Sequence, residues 1–178
     1  MAQMSVTRGM RRGVIGALVV VLVAIFAATT VLGGDDSSAA DLEPVPGDSF
    51  ELFDGSTATF VDFAGRPLVV NFWAAWCPAC VAELPEFQAV HEARGDEVTF
   101  LGMANSDVRE RSLALAGDVG LTYTLADDPA GDIFRALGLI AMPSTVFVTA
   151  DGEIHEVFGG QLDRDGLEAR IDRLLEAS

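Results

Sequence analysis

The chain has 178 residues, half of them hydrophobic, with two cysteines and a net charge of −16. That length and apolar content belong to one folded domain rather than a disordered chain, and two cysteines exclude a disulfide-stapled scaffold. All 27 acidic residues follow residue 34, against 8 of the 11 arginines, which leaves −19 on that part and argues against nucleic acid or anionic lipid as its partner.

Arg8, Arg11 and Arg12 lie in residues 1–13 and precede an uncharged run, Val14 to Leu32. As a helix this run would span roughly 28 Å, close to the hydrocarbon thickness of a bilayer. Basic residues stay on the cytoplasmic side, so the chain after Gly34 is expected outside. Residues 14–32 therefore read as a single-pass anchor in the cytoplasmic membrane. A cleaved signal peptide, leaving a secreted domain, is the competing reading. Residues 33–46, rich in Asp, Ser, Ala and Pro, read as a flexible linker, and residues 47–178 as the folded domain.

Within that domain strand and helix patterns alternate. Phe50–Phe53 and Thr57–Val61 flank Asp54-Gly55 as a short hairpin. Leu68–Trp73 is a continuous apolar run and reads as a central buried strand. A helix is expected from near Cys77 to about Ala93, with Pro85 predicting a kink. A strand over Glu97–Met103 follows, and then a helix to about Ala116 capped by Ser106 and Asp107. A short strand at Tyr123–Leu125 and a short helix over Pro129–Leu137 precede a hairpin, Thr145–Thr149 and Glu153–Phe158, turned by Asp151-Gly152. A final amphipathic helix runs from Asp163 to Glu176.

Both cysteines fall in Trp73-Ala74-Ala75-Trp76-Cys77-Pro78-Ala79-Cys80, between the central strand and the first helix. A thiolate at a helix N-terminus is stabilised by free N–H groups and the helix dipole, and a thiol one turn on can close a disulfide with it. A zinc half-site is the structural alternative. Zinc needs about four ligands, and His91 and His155, the only histidines, have no suitable spacing. Both read as ordinary surface or helix-end residues.

The stretch from Gly65 to Pro85, together with Met142-Pro143-Ser144-Thr145 and Asp151-Gly152, resembles the thioredoxin superfamily, and within it the membrane-tethered TlpA/ResA/DsbE-like group. The resemblance implies a thioredoxin-like three-layer α/β sandwich with a mixed central sheet and an inserted αβ unit between Val98 and Leu137. It implies an extracytoplasmic thiol-disulfide oxidoreductase. Its partners would be exported cysteine-containing clients, apocytochrome c among them, and a membrane thiol-disulfide electron donor or acceptor. No cofactor is implied beyond the Cys77–Cys80 pair.

The resemblance also assigns roles. Cys77, at an exposed helix start, is the nucleophile and Cys80 resolves the mixed disulfide. Pro78 and Ala79 tune the pair, and the lack of His or Lys between the cysteines suggests a reductant or mid-range couple. Pro143 corresponds to the superfamily's cis-proline, and the backbone of Met142 would pair with a client strand. Glu83, three residues beyond Cys80, corresponds to a carboxylate that adjusts cysteine acidity and carries a proton. Thioredoxin's buried Asp is replaced here by Asn71. Trp73 reads as core, and Trp76 as a residue that touches partners.

Two other readings share the fold. A peroxiredoxin carries its nucleophile in a P-x-x-x-T-x-x-C pattern, which the residues before Cys77 do not match. A Sco-like copper-binding chaperone needs C-x-x-x-C and a downstream His, whereas the spacing here is one residue shorter and His155 sits in a hairpin.

Overall fold

A computed structural model describes residues 44–178 of the protein. The expected cytoplasmic segment, the 14–32 anchor and most of the linker lie outside the described residues. Among the described residues no helix is long and apolar enough to cross a membrane.

Seven strands form one mixed sheet in the order β2-β1-β5-β4-β3-β6-β7. They are β1 Phe50–Leu52, β2 Thr57–Ala58, β3 Leu68–Trp73, β4 Thr99–Asn105, β5 Thr124–Asp128, β6 Ser144–Val148 and β7 Ile154–Gly159. β3, β4 and β5 run parallel to one another, β6 returns antiparallel beside β3, and β1 pairs antiparallel with β5. The helices are α1 Pro78–Arg94, α2 Arg109–Val119, α3 Asp132–Ala136 and α4 Arg164–Ala177. The chain is already tied to the sheet at Pro44, which bridges Glu153, and at Val45, whose N–H donates to the Gly152 carbonyl.

β3 lies at the centre because every one of its six residues is buried. Its alternate side chains feed two cores. Leu68, Val70 and Phe72 join Leu101, Met103 and Val146 on the face covered by α3. Val69 and Trp73 face the layer formed by α1, α2 and α4, with Phe87, Val90, Leu167, Ile171 and Leu174 from the helices. Each such fully buried apolar side chain is worth roughly 1.5–3 kcal/mol, so a central strand filled with them fixes its own register. The architecture is thioredoxin-like, with helices on both faces of a mixed sheet.

Three expectations are corrected. The second strand of the first hairpin ends at Ala58, and Phe60–Phe63 forms a 3₁₀ turn. The Asp62 carboxylate accepts the Thr59 N–H and hydroxyl, closing that turn. This brings Phe60 and Phe63 onto Phe50, with ring centroids 5.2 and 6.3 Å away, an aromatic packing that an extended strand would not reach. The second helix begins later than expected, with Val108 at its N-cap, because the Asp107 side chain is engaged elsewhere. His91 is half-buried rather than on the surface, its ring lying edge-on to Phe100 and Tyr123 at about 5.5 Å. Helix α1 runs from Pro78 to Arg94 with Pro85 inside it.

The packing beside β3 leaves no room at Gly102. A β-carbon there would lie 2.7 Å from Leu125 Cδ2 and 3.0 Å from both the Trp73 indole nitrogen and the Tyr123 ring. Gly102→Ala should therefore lower the unfolding free energy by about 1–3 kcal/mol, read as a lower urea midpoint of the oxidised protein. An unchanged midpoint would contradict close packing across this row.

Candidate redox site

The sheet brings the candidate residues together at one edge, beyond the C-terminal ends of the parallel strands, where open α/β sheets place their ligands. β3 ends at Trp73, and its neighbours at that level are Ala104 of β4 and, one row earlier, Ser144 of β6. The four residues 74–77 then pass from strand to helix. Cys77 is the N-cap of α1, and its sulfur accepts the Cys80 N–H at 3.2 Å. Pro78 occupies the first helical turn, where its missing N–H costs nothing. Cys77 and Cys80 form a disulfide with their α-carbons 5.2 Å apart.

The expected exposed helix start is corrected. Cys77 is only 5% exposed and Cys80 is fully buried. The surface around them belongs to Pro78, partly to Ala79, and to Trp76, which is 53% exposed. Both cysteines belong to a buried apolar cluster with Trp73, Ala74 and Leu84, against which Met142 packs.

Opposite the helix start, the Met142–Pro143 peptide is cis. Pro143 is buried and its carbonyl accepts the Gly160 N–H at 2.8 Å. The Ser144 hydroxyl donates to the Ala141 carbonyl at 2.6 Å, closing the loop ahead of β6. Two residues before the proline, Ala141 is exposed, and Ile140 before it is 97% exposed. Sequence reasoning missed Ile140. An isolated apolar residue in a loop carries no periodic signal.

Glu83 lies one helical turn beyond Cys80 and is fully buried. Its Oε1 accepts the Asn71 amide N–H at 2.8 Å, and its Oε2 accepts the Leu162 backbone N–H at 2.9 Å. Burial pushes its pKa up to about 7, while the two donors pull it back down. The carboxyl therefore changes charge near neutral pH, inside the core and one turn from a cysteine. Asn71 is itself buried on β3. Its role as a donor to Glu83 was not legible in the sequence, where it registered only as the absence of an Asp. Tyr123, also buried, has its hydroxyl pKa raised by burial and by the Glu83 charge, so its phenol stays protonated.

The histidines stand away from the sulfurs. His91 sits in the last turn of α1, about 21 Å along the helix from Cys77, and burial lowers its pKa. His155 is near the start of β7, whose opposite end, Gly159, is the one paired with Ser144 beside the cis-proline. Among the described residues no group of three or more His, Cys, Asp or Glu is placed to hold a metal ion. A cleft of about 780 Å³ lies between β1, β5 and α3, with Glu51, Arg109, Asp127 and Asp132 among its lining. Arg109 is ion-paired there to Asp127 and Glu51, and the cleft adjoins the redox site through Asp107.

The comparisons with known proteins agree with this geometry. The Redoxin family pattern matches residues 42–175. The thiol-disulfide oxidoreductase ResA of Oceanobacillus iheyensis is 30% identical over 125 residues, covering 68% of this chain and 64% of that protein. The thiol:disulfide interchange protein HelX of Rhodobacter capsulatus is 29% identical over 153 residues, covering 84% and 80%. Among solved structures, a secreted Mycobacterium tuberculosis disulfide oxidoreductase homologous to E. coli DsbE superposes with a TM-score of 0.66 at 27% identity, covering 72% of this chain and 96% of that one.

The buried carboxyl makes stability depend on pH in a defined direction. An unfolded Glu ionises near 4.5, and folded Glu83 near 7. Between these values the folded protein keeps a proton that the unfolded chain has lost, so this group's contribution to stability falls as pH rises through the window and is constant above it. The unfolding free energy of oxidised wild type should fall by about 3 kcal/mol relative to Glu83→Gln between pH 4.5 and 7. Parallel pH profiles for the two proteins would show that Glu83 titrates normally.

Proposed function

The chain belongs to the Redoxin family, and on that premise we propose that it is an extracytoplasmic thiol-disulfide oxidoreductase working through Cys77 and Cys80. One observation carries this reading. The two cysteines close a disulfide at the N-terminus of α1, and Met142, ahead of the cis-proline, packs against the apolar cluster that contains it. The relatives named as thiol-disulfide oxidoreductases support the same reaction class.

In the reducing direction the Cys77 thiolate attacks one sulfur of a client disulfide. A Cys77–client bond forms, and the other client sulfur leaves as a thiolate that takes a proton from water. Glu83, as carboxylate, accepts the Cys80 proton through the interior. The Cys80 thiolate then attacks the Cys77 sulfur, the mixed disulfide breaks, and the second client sulfur leaves as a thiolate that takes the second proton from water, while Glu83 returns the Cys80 proton to solvent. The client gains two electrons and two protons, and the Cys77–Cys80 disulfide is left. The pair is itself the redox group, with no further cofactor. The opposite direction runs through the same intermediate.

The exposed rim has the chemistry of a peptide-docking surface. Trp76 and Ile140 offer apolar contact, Pro78 and Ala79 shape the ground beside the sulfur, and the Met142 backbone pairs with an extended client segment. The clients are exported cysteine proteins, apocytochrome c thiols among them. A membrane thiol-disulfide protein restores the resting state, and residues 14–32 hold the domain at the membrane.

Cys80→Ala should accumulate mixed disulfides with client proteins that dithiothreitol releases, and Cys77→Ala should accumulate none. Thiol trapping of the wild-type protein in cells should find the pair reduced, kept so by the membrane electron donor. A potential near −120 mV, that of a strong oxidant, would contradict that direction. Absence of any Cys77-dependent adduct would overturn the reaction itself.

A further inference from the structure

The end of β4 touches both halves of the redox site, although none of its residues takes part in sulfur chemistry. Asp107 Oδ2 accepts the Ala75 backbone N–H at 2.6 Å and the Ser112 hydroxyl at 3.0 Å, while Oδ1 accepts the Val108 N–H at 2.7 Å. One residue earlier, the Ser106 carbonyl accepts the Trp76 indole N–H at 3.0 Å. Ser106 has φ +50°, a left-handed conformation uncommon outside glycine, and its own N–H donates to the Asp128 carbonyl. One residue earlier again, buried Asn105 places its side-chain amide 3.3 Å from the Met142 sulfur.

We infer that Asn105-Ser106-Asp107 is a positioning unit that holds the Cys77 loop and the cis-proline loop in register for an extended client. The need for one follows from the chain path. Residues 74–77 lie between the last residue of β3 and the first of α1, and their local tie is the Cys77 N–H to the Ala74 carbonyl. The two bonds to Ser106 and Asp107, just past the end of β4, give that loop its sideways anchor. Ser106 can offer its carbonyl to Trp76 while Asp107 faces Ala75 because the left-handed residue turns the chain between strand and helix. Asn105 applies the same anchor to Met142. Thiol-disulfide exchange needs attacking, central and leaving sulfurs aligned, and a displacement of about 1 Å can slow such a reaction by up to 100-fold. A client strand paired at Met142 reaches Cys77 in line only if the two loops keep their separation.

The inference rests on the disulfide-exchange reading, so the test uses two disulfides. Reduced protein is oxidised by a peptide carrying an intramolecular disulfide and, separately, by bis(2-hydroxyethyl) disulfide, which is too small to pair with the cis-proline loop. In Asp107→Ala and Asn105→Ala the peptide rate should fall about tenfold further than the small-disulfide rate. Asp107→Asn, which keeps an oxygen for the Ala75 N–H but not the charge, should regain most of the loss. Equal losses with both disulfides would reduce the unit to general stability. An Asp107→Asn protein as slow as Asp107→Ala would make the charge, not the position, the cause. Either result overturns the inference, as would unchanged rates. Asn105→Ala stands alone if Asp107→Ala does not fold. A wild-type protein inert to both disulfides would instead overturn the reaction proposed above.

Discussion

Strand β3 is buried on both faces and hydrogen-bonded on both edges, and the geometry of the redox site is set from its last residue. Six buried side chains hold its register against β4 and β6. With Trp73 fixed, four residues remain to reach the first turn of α1. Cys77 becomes an N-cap and Cys80 points inward one turn later. The cis-proline loop arrives beside it because β6 pairs antiparallel with β3 and so starts where β3 ends. The site is a consequence of sheet topology before it is a matter of sulfur chemistry.

The same central strand carries the polar exception in its core. Asn71 faces the helical layer and donates to Glu83, which also receives the Leu162 N–H. A carboxyl in this position is held in balance, since burial favours the neutral acid and two donors favour the anion. An Asp in place of Asn71 would set two carboxyls against each other and drive one of them further from ionisation. An amide donor instead leaves a single titrating carboxyl one helical turn beyond Cys80, with a pKa of about 7. Such a group accepts and returns a proton at little cost, which suits a cysteine that must alternate between thiol and thiolate. Leu162 precedes α4, so the carboxyl also links the first and last helices.

Much of the fold was legible because it rests on local patterns. The apolar run Leu68–Trp73, the cysteines after it, and the Asp151-Gly152 turn are signals carried by adjacent residues. What failed was decided by distant contacts. Phe60 and Val61 left the strand pattern for a 3₁₀ turn, in which Phe60 packs against Phe50. Asp107 looked like a helix cap and turned out to bind Ala75, 32 positions away in the chain. Cys77 looked exposed because it begins a helix, yet it is buried in an apolar cluster to which Met142, from a loop far along the chain, contributes. The Asn71–Glu83 bond joins a strand to a helix, and spacing alone does not reveal which helical side chain faces which strand residue.

The central claim is an asymmetry between two sulfurs: Cys77 meets the outside at a helix N-terminus, and Cys80 is enclosed beside a buried carboxyl. Alkylation of the reduced protein with iodoacetamide at neutral pH, followed by peptide mass analysis at early times, tests it directly. Label should accumulate on Cys77 while Cys80 stays free. Equal labelling, or faster labelling of Cys80, would contradict the assignment of attacking and resolving thiols.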